Sequence, residues 1–383
     1  MQLVEQIAGA LLMLLVLADV FLTVLCARAD AGLISPRVSR FVWLAFRELS
    51  KPFKSCRERI LSFCGPTILV MYVLVWTLAL ALGAGLIIHP KLGTSVRATS
   101  EDSRSDLITA IYAGGSSISI VGTSNYTPET ASFRMLFLFN SLVGLSMISL
   151  TLTYLMQVYS ALNRRNVFGL DIHLGCAEKG DAAELIAGLG PRGKFELGYA
   201  NLSQLAHEMT QAKESHHFYP VLFYFRFRDP AYAISRFTLV SLDAVALIQT
   251  ALDDDEYGWL KQSGAVEQLD NGARLLLKTI WNTFLRRVVH EPSHNPDDHV
   301  RDLWHRRYAA ALRTLRQAGI RTIADEQAGV EHYVEIRSQW NGYISRMGPM
   351  LGYSPEEIDP VGSHPDYSNV QRTAYTPGYS TNT

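Results

Sequence analysis

The stretch Asp106 to Pro128, DLITAIYAGGSSISIVGTSNYTP, decides the fold through its position and its shortness. Its first part, Asp106 to about Ser117, is moderately apolar but too short to cross a hydrocarbon core about 30 Å thick, which takes roughly 20 helical residues. Much longer apolar runs flank it, Pro66 to Ile88 before and Ser132 to Leu162 after. A segment that enters a membrane as a short helix and leaves as a loop puts irregular backbone at depth. Such backbone is tolerated only when it is buried in protein or lines a water-filled path. A short helix plus loop between two spans therefore predicts a pore.

Arg164 and Arg165 close the last run and mark a cytoplasmic exit, because basic residues collect on that side of a membrane. At the other end, Leu3 to Cys26 is almost uninterruptedly apolar and reads as a first transmembrane helix. It is not a cleaved signal peptide by pattern: it lacks a basic leading region, exceeds the usual apolar length, and ends Cys-Ala-Arg. Between the first two spans, Ser35 to Phe63 interleaves Arg37, Arg40, Arg47, Lys51, Lys54, Arg57 and Arg59 with Phe41, Val42, Phe46 and Leu49. Ser35 and Pro36 suit a helix start, and the mixture predicts an amphipathic helix on the cytoplasmic membrane surface. The N-terminus is then outside and the C-terminus cytoplasmic, in a multi-pass protein of the cell membrane. The expected order is an N-terminal transmembrane helix over 1–29, the amphipathic helix over 30–64, a pore domain over 65–165, a helical cytoplasmic domain over 166–350 and a weakly ordered tail over 351–383.

The 383 residues carry a formal net charge of -1, an average that conceals an apolar N-terminal part and a charged C-terminal part. From about Val167 the pattern becomes that of a soluble α-domain, with helical spacing in Phe195 to Ala212, Pro230 to Leu252, Val266 to Val289, Asp297 to Ala318 and Thr322 to Met347. Phe218 to Phe227 is the one stretch with strand character, and the tail from Gly352 has the Pro, Tyr, Ser and Thr content of weakly ordered chain. No GxGxxG stands at a strand-to-helix turn, which excludes a Rossmann-like nucleotide-binding regulator. The four cysteines, Cys26, Cys56, Cys64 and Cys176, and the loosely spaced His290, His294, His299 and His305 lack metal-ligand spacing. No separate basic patch points to nucleic acid, and no catalytic constellation can be assembled. Neither an enzyme nor a cofactor is expected, and membrane lipid is the surrounding partner.

Ala110, Ile111 and Tyr112, followed by Ile120-Val121-Gly122-Thr123-Ser124-Asn125 and Pro128, resemble the pore helix, filter and following loop of the bacterial potassium-channel superfamily with two-span pores, whose filter reads TVGYGD. Gly122 and Pro128 fix the register. Arg134 and Gly144 fall where that family often has an arginine and a hinge glycine, and Asp19-Val20-Phe21 and Gly65-Pro66 are similar to a bacterial subgroup with an extra N-terminal helix. The resemblance implies an all-α membrane protein of the bacterial inner membrane: a homotetrameric potassium-channel-like pore, an added N-terminal transmembrane helix and a mostly helical cytoplasmic domain. It implies a pathway lined by Ser117, Ser119, Ile120, Val121, Gly122, Thr123, Ser124 and Asn125, an inner cavity and gate at Asn140, Gly144 and Thr151, and a cytoplasmic rim of Arg164 and Arg165. In such a tetramer four loops replace an ion's hydration shell with backbone carbonyls.

The filter departs from that pattern. Ile120 stands for the threonine, Thr123 for the tyrosine, Ser124 for the second glycine and Asn125 for the aspartate. A non-glycine residue at positive φ is strained, so strict potassium selectivity is not expected. Gly114, Gly115, Ser116 and Ser117 replace bulkier residues in the pore helix, and paired glycines cost roughly 1 kcal/mol each relative to alanine, which predicts a short, kinked or repositioned helix. Passive conduction of small inorganic ions follows, with cations such as potassium or sodium favoured by the scaffold. A chloride channel stays open because the replacement residues are neutral and hydroxyl-bearing, as does a non-conducting membrane sensor with a sealed filter. Asp19, deep in the first span, either serves function or bonds Thr23, one turn on, or a neighbouring helix. Asn140 either lines the cavity or bridges helices.

Overall fold

The computed structural model describes residues 2–26, 32–53, 56–99, 106–120, 122, 125–286, 291–292 and 295–361. The chain divides into two compact units, one of Met1–Phe53 with Phe63–Ser160 and one of Lys54–Ser62 with Ala161–Thr383.

The first unit is built from apolar helices. Helix α1, Gln2–Val20, continues as a π-helical turn, Phe21–Leu25. Helix α2 is Ser35–Ser50, α4 is Cys64–Ile88, α5 is Leu107–Ile118, and α6, Ala131–Gly175, begins here. Helices α1, α4 and α6 are long and apolar enough to cross a membrane. Small residues allow close crossings: a Cβ at Gly83 of α4 would stand 2.9 Å from the Gly9 carbonyl oxygen of α1, the kind of approach that helps membrane helices associate. Two short antiparallel strands, β1 (Val96–Ala98) and β2 (Tyr126–Pro128), interrupt the helical pattern and pair Ala98 with Tyr126.

Asp19 holds this unit together. Its side chain is fully buried, and its hydrogen-bond partners among the described residues are all neutral donors. Oδ1 accepts the N–H groups of Ile34 (2.6 Å) and Ser35 (3.3 Å), while Oδ2 accepts the Ser35 hydroxyl (2.6 Å) and the Trp76 indole N–H (2.8 Å). The carboxylate at the end of α1 therefore sits at the N-terminus of α2, where helix N–H groups favour negative charge, and is also tied to α4. Of the two expectations for Asp19, the helix-bridging one describes what is seen.

The amphipathic segment Ser35 to Phe63 is not one helix. It breaks after Ser50, because Pro52 has no N–H to donate and disfavours helix in the residue before it. A second helix, α3 (Arg57–Ser62), follows and belongs to the other unit. The last span likewise does not end at Arg164 and Arg165: α6 runs to Gly175, since basic side chains do not stop a helix.

The second unit is packed around α9, Ile234–Ala251, which is also long and apolar enough to cross a membrane but is 89% buried inside the protein and forms the core of this unit. Around it lie α7 (Ala182–Leu189), α8 (Glu196–Phe218), α10 (Asp254–Lys261), α11 (Gly264–Ile280), α12 (Asp298–Gln317), α13 (Glu326–Ser338), α14 (Asn341–Met350) and α15 (Pro355–Ile358). Asp243, buried in the middle of α9, accepts from Arg307 Nε (2.9 Å) and from the Tyr333 hydroxyl (2.6 Å), and it pairs with Arg337. Burial works to lower the Arg307 pKa, but the Asp243 and Asp359 carboxylates hold it well above its ordinary value.

Two expectations for this unit fail. Phe218 to Phe227 contains a 3-10 turn, Pro220–Tyr224, not a strand. Val221 through Phe225 are all buried, and a strand buried on both faces would need partners that no described residue supplies. The buried Arg165 of α6 instead donates to the carbonyls of Leu222 (2.8 Å) and Phe225 (3.1 Å). The tail from Gly352 is also structured over its described residues, through Val361: Ser354 and Glu357 form a capping box on α15, and Asp359 accepts from Arg307; the rest of the expected tail, 362–383, lies outside the described residues.

Replacing Asp19 with alanine leaves the Ile34, Ser35 and Trp76 N–H groups without their acceptor, each worth about 1–3 kcal/mol when buried. The expected loss is about 3 kcal/mol or more, read from unfolding in detergent. His216 is buried with both ring nitrogens unpartnered, and burial together with Arg165 pushes its pKa well below 6.5. The unfolded chain takes up this proton below about pH 6.5 and the folded chain does not. Stability is therefore present above that pH and declines as pH falls through it, by up to about 1.4 kcal/mol per pH unit. Melts from pH 7.5 to 5 are expected to show a shallower acid loss in His216→Leu than in the native protein.

Candidate functional site

The short apolar helix α5 starts with Asp106, whose carboxylate accepts the Thr109 N–H at 3.2 Å. Aspartate favours this place because it supplies an acceptor to an otherwise unpaired donor. The helix then runs unbroken through Gly114 and Gly115 and ends after 12 residues, so of the expected short, kinked or repositioned helix the short one is seen. Packing explains the glycine: a Cβ at Gly114 would lie 2.6 Å from the Gly85 nitrogen, and one at Gly85 would lie 2.8 Å from the Ile111 Cα. The propensity cost is offset by backbone contact between α4 and α5.

The far end of α5 is butted against α6. Ser117 Oγ donates to the Gly114 carbonyl (2.7 Å) and accepts from Asn140 Nδ2 (2.8 Å). A side chain on Gly144 would collide with the Ile118 carbonyl oxygen. Asn140 is fully buried and Gly144 is packed, so both brace the end of α5, and neither faces a cavity from this chain. Gly144 lies 13 residues into α6, roughly 20 Å along its axis at 1.5 Å per residue. The carbonyl end of α5 thus meets α6 about half-way along its apolar part.

The return limb is held by the two strands. Thr99 donates its N–H (2.6 Å) and its hydroxyl (3.0 Å) to the Asn125 carbonyl, and Glu129 N–H donates to Ser95 (2.8 Å). Tyr126 packs with Phe133, Leu136 and Phe137 on a small core containing Ile88 and Ala110. Among the expected filter residues, Val121, Thr123 and Ser124 lie outside the described residues. Gly122 has φ +61 with open space around its Cβ position, so the backbone conformation alone calls for glycine there. Ser119 and Ile120 are exposed.

The inner-face residues fall differently from expectation. Thr151 is half-buried, and Arg165 is buried within the second unit with its guanidinium on carbonyl groups, so it forms no open rim; Arg164 is exposed. A separate set of exposed polar residues does line up on α6: Ser146, Ser149, Thr153, Gln157 and Ser160, at three- and four-residue spacing. That spacing places them on one face of a helix. The adjoining exposed face carries Leu145, Ile148, Leu152 and Met156, each more than half exposed. Only 22% of the apolar window of α6 is buried within the chain. One side of α6 thus packs on its own chain, one is apolar and open, and one is an uncharged polar stripe. The stripe was detectable from sequence by projecting Ser132 to Leu162 as a single straight helix; which side α5 covers was not.

No family model and no solved structure matches this chain. An uncharacterized membrane protein of Bacillus subtilis (strain 168), YdjJ, is 23% identical to it over 293 residues, covering 76% of this chain and 81% of that protein.

Replacing Gly144 with alanine is expected to destabilise the protein by about 1–3 kcal/mol, the cost of overpacking a close contact. Leu145→Ala, one residue along on the open face, is expected to stay within about 0.5 kcal/mol of the native protein. Thermal unfolding of the two variants in the same detergent distinguishes packing at Gly144 from a hinge role there.

Proposed function

We propose that the chain is an ion channel that passes small inorganic ions passively, with cations favoured and without strict potassium selectivity. The observation that carries this reading is the polar stripe on α6, below the point where the carbonyl end of α5 meets that helix. A stripe of hydroxyl and amide groups on a membrane span is costly against lipid and favourable against water. Copies of the chain arranged about an axis with their stripes inward would enclose a wet path, while Leu145, Ile148 and Leu152 would face neighbours or lipid. The homotetramer implied by the resemblance of the re-entrant segment meets this requirement. The N-terminus then lies outside the cell membrane and the C-terminus in the cytoplasm.

Charge preference follows from α5. The last carbonyls of a helix carry about half a unit of negative charge; since the stripe faces away from the α5 of its own chain, a cation in the path would meet this charge from the α5 of a neighbouring copy. The stripe contains no arginine or lysine to oppose it. It contains no carboxylate either, which leaves the chloride reading as the alternative to be tested.

Purified protein in a planar bilayer under asymmetric KCl is expected to give currents that reverse toward the potassium potential. Reversal toward the chloride potential would replace the cation reading with the anion one, and silence would overturn the channel reading in favour of a non-conducting sensor. In a background with Cys26, Cys56, Cys64 and Cys176 replaced by serine, Ser149→Cys and Thr153→Cys are expected to lose current on treatment with a charged methanethiosulfonate. Leu152→Cys is expected to keep it.

A further inference from the structure

The buried ion network of the second unit has an inner carboxylate and an outer one, and they differ in kind. Asp243, on the core helix α9, has 0% of its side chain exposed and is fully engaged: Tyr333 and Arg337 bind Oδ1, while Arg307 Nε and Nη2 bind Oδ2 at 2.9 and 2.8 Å. Those contacts leave Arg307 Nη1 and Arg337 Nη2 directed elsewhere. Both go to Asp359, Nη1 of Arg307 at 2.6 and 2.8 Å from its two oxygens and Nη2 of Arg337 at 3.3 Å. Two guanidinium groups against Asp243 alone leave one positive charge over, and an uncompensated buried charge is strongly destabilising. Asp359 supplies the missing negative charge, but from the far end of the described chain, on a strap (Ser354 to Asp359) whose short helix is closed by its own capping box. Its side chain is 13% exposed where those of Arg307 and Arg337 are 6% and 1%.

We infer that Arg307 and Arg337 form a regulatory binding site for a small soluble carboxylate, occupied at rest by the chain's own Asp359. Guanidinium groups hold carboxylates through paired N–H donors in a way a spherical anion does not match. The outer position, less buried than the inner one and filled by the strap, is the one a free carboxylate can take over.

The strap is also connected to the segments that lead into the membrane. Just ahead of it, Gly352 offers its carbonyl to Arg226 Nη2 (3.3 Å), the Arg226 guanidinium lies 4.5 Å over the Tyr353 ring, and the Tyr353 hydroxyl donates to the Phe227 carbonyl (3.0 Å). The buried Arg226 reaches on to the Glu58 carbonyl of α3 (3.3 Å). In sequence α3 runs almost directly into α4, and the neighbouring carbonyls of Leu222 and Phe225 hold Arg165 of α6. Release of the strap loosens a cluster that grips the lead-in to one span and the continuation of another. The effect of that release on current rests on the channel reading; occupancy of the site does not.

Acetate is the probe, applied to the full-length protein in nanodiscs. Asp359→Ala is expected to lower the melting temperature of the second unit by roughly 6–20 °C, the size set by a broken buried pair in a unit of this length. Acetate is expected to restore much of it saturably, whereas chloride at equal ionic strength does not. Asp359→Asn, which keeps the shape and removes the charge, provides the same comparison if the alanine variant does not fold. In bilayers, acetate on the cytoplasmic side is expected to change the open probability of the native protein several-fold toward that of the Asp359 variant and to leave the variant unchanged. No acetate-specific stabilisation of either variant would overturn the site, whether or not the protein conducts. A conducting variant with the native open probability would overturn its regulatory role.

Discussion

A buried carboxylate held, among the described residues, by neutral donors organises the membrane unit. Asp19 sits at the end of an apolar helix with its oxygens on two backbone N–H groups, a hydroxyl and an indole N–H. Desolvating a charge is costly unless its hydrogen-bonding capacity is met, so these donors must be delivered together. This fixes the turn between α1 and α2, the point at which α2 starts and the rotation of α4 that presents Trp76. The positive end of α2 contributes to the balance, since its first N–H groups have no partner within the helix. The other contacts of the unit, including the glycine crossings of α4 with α1 and α5, are made between helices whose relation this one group already constrains.

The second unit meets a similar problem by opposite means. Asp243 is as deeply buried as Asp19, but it is matched by Arg307 and Arg337 and balanced by a further carboxylate, Asp359. Neutral donors from local backbone suit a site between membrane helices, where an arginine would itself need solvation. Charged partners from separate helices tie α9, α12, α13 and the strap into one arrangement. Such networks add less stability than their distances suggest, because each ion is first taken out of water. Their effect is to make the position of one element depend on the others, and here the most distant of those elements is the strap.

The geometry of α5 and α6 carries the functional reading. Close approach at Gly144 brings the carbonyl end of α5 against the middle of α6, and Asn140 and Ser117 secure it. With that side of α6 occupied, its polar stripe is left facing away from its own chain. The same residues on a helix rotated by a third of a turn would have been buried against α5, and nothing would distinguish α6 from an ordinary anchor.

The sequence by itself determined the long apolar helices, the short apolar helix between two of them and its Asp106 start, because these depend on local composition and on donors within one turn. It also determined where α2 begins and, through Pro52, where it must break, although the break went unread under the run of basic residues. The continuation of α6 past Arg164 and Arg165 was hidden by the topological meaning of those arginines, and the aromatic alternation around Phe223 imitated a strand. Only the tertiary structure decided the rest. Asn140 and Gly144 became braces and Ser149 and Thr153 became the exposed face because helix rotation is set by contacts with α5. Likewise the strap at Asp359 is ordered by arginines 22 and 52 positions earlier in the chain. A helix's period and a terminus's composition are local quantities; which face is covered and which charges are matched are settled only by residues far apart in sequence.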